Sequence, residues 1–445
     1  MTHKKPELFQ SRSSSQQFLF SKTDSKPKDN KAKDPLLFNS KKLSKFFPDI
    51  LAGKSFIGHA MASLDSATKF MAMVIRIDNL KHNDKTAASD HAVDLLIDVA
   101  KSIDTLCKSE NGMWGQLDQN IYGCFFSDKN ETSALKLSKK IQNNLGKLRK
   151  ETVSIGAASY PTIDFNKEQI IDNARKALEH AAFFGPDSSV SFDAVSLNIS
   201  GDELYQKGDI DGAIEEFKTA LLLDPSNVNV HNSLGVCYGV QRKYEKALEE
   251  FEVAIRLDPD EVMSIYNAGL VNMFTDKKDK ALEYFLDADS KEECIFEVAI
   301  QTGKLYLEMK KPEKAKTFFE KAIKARPESG LACRFLGECC AAMNMTDDAV
   351  SAYKKAIRQN PNDADSLSAL GYLYDLQGEN PEITTIFCQQ SVDIAPENGL
   401  FRFRLGSLYL KRDQLKDALE QLQKADALGH DCKDLIKKIK KLADK

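Results

Sequence analysis

The sequence predicts two architectures in one chain: a mixed α/β domain over residues 50–193, then an all-α stack of helical hairpins over residues 194–430. Three observations predict it. Gly201, Gly235, Gly269, Gly303, Gly337, Gly371 and Gly406 recur at steps of 34 residues, the last step being 35. A fixed period of this length marks a solenoid, whose units bury their apolar faces against one another. Ahead of the repeats, short apolar runs of β character alternate with helical periodicity. Before both, residues 1–45 are rich in Ser, Lys and Gln and too poor in apolar residues to offset chain entropy. That predicts a disordered basic tail over 1–49. Within it Phe18–Phe20 and Leu36–Phe38 are apolar islands, readable as docking motifs or simply as solvated tail.

The middle elements follow in order. Phe70–Ile77 (FMAMVIRI) reads as a strand. Ala87–Leu106 reads as a helix, with Ala92, Leu95, Leu96, Val99, Ala100 and Ile103 at helix spacing. Gly112–Leu117 and Ile121–Phe126 read as strands joined by a polar turn at Asp118–Asn120. A helix over Ser133–Leu148, a strand over Thr152–Tyr160, a helix over Lys167–Phe183 and a short strand over Ser189–Phe192 complete the domain. The order β-α-β-β-α-β is that of a ferredoxin-like core with an added helix and strand.

The repeats carry more than glycine. Alanine stands twelve residues on (Ala213, Ala247, Ala281, Ala315, Ala349), a ring four later (Phe217, Phe251, Phe285, Phe319, Tyr353), and most units close on proline. Glycine and alanine let antiparallel helices approach, the rings are expected to fill the gap between repeats, and proline ends the second helix. This pattern resembles the tetratricopeptide family over residues 194–430. The third unit has Glu293 where proline is expected, and the sixth is degraded around Thr384 and Cys388, so those joints should depart from the pattern. Residues 431–445, with Leu435, Ile436, Ile439 and Leu442 at helical spacing among lysines, read as a solvating cap; membrane adhesion through the lysines is the rival reading.

Whole-chain properties narrow the class. A net charge of −4 gives no global field for nucleic acid. No apolar run reaches the roughly 18 residues of a membrane helix, and Met1–Asn30 lacks the apolar core of a secretory signal. Nine scattered cysteines without a C-x-x-C pair suit a reducing cytosol. The one cluster, Cys333, Cys339 and Cys340, reads as helix packing inside the fifth repeat, with a metal or redox role as the rival. A cytoplasmic location is expected.

Glu151–Pro161 (ETVSIGAASYP) with Ile170–Gly185 (IIDNARKALEHAAFFG) resembles the closing strand and helix of GGDEF-type diguanylate cyclase domains. That chemistry needs a divalent metal held by carboxylates to neutralise phosphate charge. The resemblance places the family's first metal-binding Asp on Arg76, its signature hairpin on Asp118–Tyr122 (DQNIY), and its guanine-reading Asp on Val93. Its phosphate-binding cations fall on Ala182 and Pro186, and its product-inhibition motif near Ser109 and Gly112. This implies a nucleotidyl-cyclase-type fold without its catalysis, hence no catalytic residue, metal or cofactor. Asp78 reads as an exposed strand-end residue. The rivals are a divergent cyclase using Asp78, Asp94 and Asp118, and a nucleotide receptor without turnover.

The tetratricopeptide resemblance implies a groove lined by the first helix of each repeat and a protein or peptide partner. The candidate contacts are Asn198, Asn232, Tyr266, Leu270, Met273, Phe274, Lys304 and Arg334, beside Asp202, Tyr205, Val236, Ile300, Glu308, Glu338, Tyr372 and Asp375. Asn198 and Asn232 are placed to bond an extended peptide backbone. Tyr266, Leu270, Met273 and Phe274 either receive an apolar anchor or pack inside the stack. Of the Lys/Asn/Asn/Lys/Arg carboxylate clamp found in some co-chaperones, only Asn198 and Asn232 find an echo, and Asp202 opposes an anion. The expected function is that of a non-enzymatic scaffold. By resemblance, the domain combination points to bacterial signalling or assembly.

Overall fold

Phe70–Ile77 (β1) is apolar apart from Arg76 because both of its faces are covered. The structure, a computed structural model, describes residues 43, 45–79, 90–292 and 294–443. The apolar islands Phe18–Phe20 and Leu36–Phe38, the helix start expected at Ala87, and Glu293 lie outside the described residues. The chain forms two compact units, residues up to Asn267 and Ala268–Lys445, so the division falls inside the repeats and not at residue 193.

In the first unit the sheet runs in the order β2-β3-β1-β4-β5. β2 is Gly112–Asp118, β3 Ile121–Ser127, β4 Val153–Tyr160 and β5 Ser189–Ser191. All pairs are antiparallel except β4 with β5. Successive side chains of β1 point to opposite layers. Met71, Met73, Ile75 and Ile77 enter the core made with helices α2 (Asp90–Glu110) and α3 (Glu131–Gly146). The opposite face is covered by α1 (Gly53–Ser63) and α4 (Ile170–Ala181). Sequence reading missed α1, whose buried Phe56 lies 5.7 Å from the Phe125 ring. The core also reaches back into the expected tail. Leu43 is buried in it, and Phe47 meets Trp114 edge-on at 5.0 Å.

The repeats are seven helix pairs among the described residues. They are α5/α6 (Ala194–Lys207, Ile210–Leu223), α7/α8 (Val228–Val240, Tyr244–Leu257), α9/α10 (Val262–Phe274, Lys278–Lys291) and α11/α12 (Phe296–Glu308, Pro312–Ala325), followed by α13/α14 (Gly330–Ala342, Thr346–Gln359), α15/α16 (Ala364–Gln377, Pro381–Ile394) and α17/α18 (Gly399–Lys411, Leu415–Ala427). A last helix, α19 (Lys433–Ala443), buries Ile439 against Leu422 and Ala425.

The rings sit differently from expectation. Each lies against the glycine of its own hairpin: a Cβ on Gly201, Gly235 or Gly303 would stand 2.5, 2.6 or 2.7 Å from Phe217, Phe251 or Phe319. The ring replaces a side chain that glycine omits, so it locks one hairpin as well as reaching its neighbour. Phe319, for example, also stacks at 5.2 Å on Phe335 of the next repeat. The degraded sixth unit keeps the arrangement with Cys388, whose Sγ would be 2.6 Å from a Cβ on Gly371. At the third joint Cys294 takes a left-handed φ of 66°.

A second period escaped the sequence reading. Seven residues after each repeat glycine the chain turns left-handed, at Gly208, Arg242, Asp276, Lys310, Asn344, Gly378 and Asp413. This tight turn reverses the chain between paired helices, and residues with a Cβ resist it by about 1 kcal/mol. Lys310→Gly is therefore expected to raise stability by about 0.5–1 kcal/mol, read as a higher urea midpoint at unchanged slope.

Helix α4 joins the α/β layer to the first hairpin within the first unit. Lys176 pairs with Glu216 at 2.7 Å, and His180 Nδ1 lies 3.2 Å from Asp193, the residue that caps α5.

Candidate functional site

First helices of neighbouring repeats pack on one another (α5 on α7, α11 on α13, α15 on α17), and second helices do so less closely. The first-helix side is thus the inner face, where a solenoid receives partners.

In the first unit this face is largely consumed by internal bonding. Asn232 is buried, and its Oδ1 accepts from Ser264 Oγ at 3.3 Å and Asn267 Nδ2 at 3.0 Å. It is a staple between repeats and not the peptide-backbone contact expected of it. Val236 is buried and Tyr266 is 2% exposed, so both belong to the core. Asn198 stays half-buried, and its Oδ1 is covered without a hydrogen-bond donor. One turn on, burial pushes Asp202 up to about 7. On α7, His231 is held between Glu250 at 2.7 Å and the Pro225 carbonyl at 3.1 Å. Burial pulls its pKa down, but these two partners outweigh burial and raise it.

The second unit presents more. Leu270, 1% exposed, is core, whereas Met273 is half-buried and Phe274 is 38% exposed. The expected apolar anchor site therefore reduces to Met273 and Phe274 here. Lys304 Nζ lies 6.0 Å from the Phe335 ring centre, and the Arg334 guanidinium stacks on the same ring at 5.1 Å. Arg334 pairs with Asp365 at 2.6 Å and Asp363 at 3.3 Å, while its buried Nε has no hydrogen-bond acceptor and lies 3.9 Å from Glu338 Oε1. One repeat earlier, on α11, Gln301 Oε1 is buried without a donor. Two repeats on, Arg404 stacks on Tyr372 at 5.0 Å and donates to Ser368 Oγ at 2.9 Å. Burial lowers its pKa, yet a guanidinium stays charged. Gln301, Phe335 and Arg404 were not singled out from the sequence. All three stand two residues before their repeat glycine, an inner position the reading passed over.

The α/β region has its own polar cluster. Asp78 is not an idle strand end: it accepts from Thr152 Oγ1 (2.7 Å), Ser154 Oγ (2.7 Å) and the Asp187 amide (2.9 Å). Its carboxylate fastens β1 to β4 and to the chain entering β5. Arg76 pairs with Glu179 of α4 at 2.8 Å. The β2–β3 turn passes through Gln119 and Asn120, with Asp118 bonding the Gln119 amide. Asp94 lies exposed on α2.

Paired helices recurring at this period define a class of helical-repeat proteins. Models of the tetratricopeptide repeat match residues 201–241, 228–261 and 306–373, so this chain carries tetratricopeptide repeats. Among solved structures it is similar to YrrB, described as a TPR protein with an unusual peptide-binding site (21% identity, 42% of this chain and 96% of that one, TM-score 0.39). It is likewise similar to MamA (29% identity, 37% and 96%, TM-score 0.34) and to pilF of Pseudomonas aeruginosa (20% identity, 47% and 95%, TM-score 0.43). No curated protein matches the chain. Among the described residues no helix is long and apolar enough to cross a membrane.

Proposed function

We propose that this protein is a non-enzymatic adaptor that holds an extended segment of a partner protein on the inner face of its repeats. The observation that carries this is Gln301 Oε1, buried without a donor in the second unit, beside the Lys304–Phe335 contact and Arg334 Nε, which has no hydrogen-bond acceptor and only Glu338 at 3.9 Å. Buried polar atoms without partners cost free energy, and a peptide backbone offers both a donor and an acceptor. Met273, Phe274, Lys304 and Arg334 are the contacts in this unit; in the first unit Asn198 serves the same end. The location we propose is the cytoplasm, on the strength of the nine unpaired thiols.

The α/β region is, on this reading, a cyclase-type ferredoxin-like fold kept for packing after its chemistry was lost. The placement of Arg76 and the commitment of Asp78 to three internal donors support it. Its α4 covers the first hairpin, and a solenoid end needs such a cover. The full-length protein, immobilised with its native-host lysate, should retain a partner, whose binding segment is then measured by calorimetry. Lys304→Glu with Phe335→Ala should weaken that segment at least ten-fold. Arg76→Asp, remote from the inner face, should leave it unchanged. Equal affinity for the groove variant and the parent would reject the adaptor reading.

A further inference from the structure

The sixth repeat carries an apolar stripe on its outer side. Ile383, Ile386 and Ile394 of α16 are 47, 55 and 42% exposed, while Thr384, Cys388, Ser391 and Val392 of the same helix face inward and are buried. The three recur at helical spacing, so they share one face. The other repeats carry no large apolar residue at the first two of these positions. Where the sixth has Ile383, they place Gly212, Lys246, Lys280, Lys314, Asp348 and Asp417; where it has Ile386, they place Glu215, Glu249, Glu283 and Glu420 or a small hydroxyl. A charged or small second-helix residue is thus the rule at these two positions, and α16 breaks it with Ile383 and Ile386; Ile394 extends them at a position that is also apolar in Leu223, Leu257 and Leu428. Ile383 and Ile386 lie one turn apart, exposed Gln390 separates them from Ile394, and exposed apolar side chains clustered on a polar face mark a site of association.

Charge says what covers it. Residues 359–401 contain no Lys, Arg or His but seven acids, in a chain with 62 Lys and Arg. Glu379 and Glu382 lie exposed at one end of the stripe, Asp393 and Glu397 at the other. Arg412, from the seventh repeat, reaches α16 only at Thr385, on its inward side. Two copies meeting through this face would bring acid to acid. The geometry points to a docking site for a basic amphipathic helix of a partner protein, laid along α16 with its apolar side on Ile383, Ile386 and Ile394 and its lysines or arginines toward the acidic ends. This face is distinct from the first-helix groove, so an array can hold two segments at once.

The test uses the full chain and a labelled synthetic helix of leucine and lysine at heptad spacing, followed by fluorescence anisotropy. A scrambled peptide of the same composition should bind at least ten-fold more weakly. Ile383→Ser with Ile386→Ser, exposed positions whose helical signal and Tm should hold, should cost at least ten-fold in affinity. Glu382→Lys with Asp393→Lys should weaken binding and flatten its dependence on salt between 50 and about 300 mM. Lys304→Glu should change nothing. The proposal falls if the helical peptide does not bind, if the scrambled peptide binds equally, or if the serine pair binds like the parent. It falls also if sedimentation shows a dimer that the serine pair dissolves, since a second copy would then be the occupant.

Discussion

Gly156→Ala is expected to unfold the α/β region. Gly156 lies mid-strand in β4, paired with Val74 of β1 on one side and Val190 of β5 on the other. Helix α4 crosses the sheet directly above it. A Cβ there would stand 2.1 Å from the Ala174 carbonyl oxygen, 2.2 Å from the Leu178 nitrogen and 2.7 Å from the Leu178 Cα. These are backbone atoms inside a helix, so no rotamer change relieves them. The helix must lift from the sheet and open the contacts of the buried Ala174, Ala177 and Leu178. Ordinary overpacking costs about 1–3 kcal/mol, and a rigid backbone clash exceeds it, at about 4 kcal/mol or more. A unit with a stability of about 5–15 kcal/mol then loses a large part of it. The same helix carries Lys176 and His180, which bond the first hairpin, so that hairpin should loosen as well. Hydrogen exchange on the full-length protein reads this directly. Amides of β1, β4 and α5 should lose protection, and amides of α13 and α14 should keep theirs. Wild-type protection in β4 would mean that helix and sheet do not meet as closely as the structure has them.

What the sequence revealed follows from how local each signal is. The repeat glycines, alanines and rings each report a contact inside one hairpin, so their period was visible without any coordinates. β1 was equally plain, because both of its faces are buried and its first six residues form an apolar run. Helix α1 was not, since only Phe56 and Ala60 of its eleven residues are buried, too few to set a period. Leu43 and Phe47 look like tail because their partners, among them Trp114, lie far along the chain. The inner face was the least legible part. Asn232 and Phe274 occupy comparable inner positions, yet one bonds Ser264 and Asn267 while the other stays exposed. Which outcome holds depends on the facing residue one repeat away, and no local pattern encodes that. The left-handed turns were hidden for another reason: Arg242 and Lys310 occupy a glycine-favouring conformation without being glycine, aspartate or asparagine.

Phe319→Ala should produce the other large effect, this time confined to the second unit. The ring is fully buried between α11 and α12, rests on Gly303 and stacks at 5.2 Å on Phe335. Truncation removes its buried area and leaves a cavity that two rigid helices cannot close, a loss of about 3–5 kcal/mol. In a stack where each repeat touches only its neighbours, protection should fall across α11–α14 first. Gly303→Ala alone should cost less, about 1–3 kcal/mol, because its methyl would stand 2.7 Å from the ring and force it aside. The two changes together are the decisive case. Without the ring the methyl meets no clash and occupies part of the void, so the double variant should be more stable than the sum of the singles by about 1 kcal/mol or more. The seventh repeat already shows a smaller side chain at the ring position, with Leu422 over Gly406 at 2.8 Å from the same hypothetical Cβ. Urea titrations of the parent, both singles and the double close the cycle. Strict additivity would mean that glycine and ring do not act as one unit, and the 34-residue period would then need another physical cause.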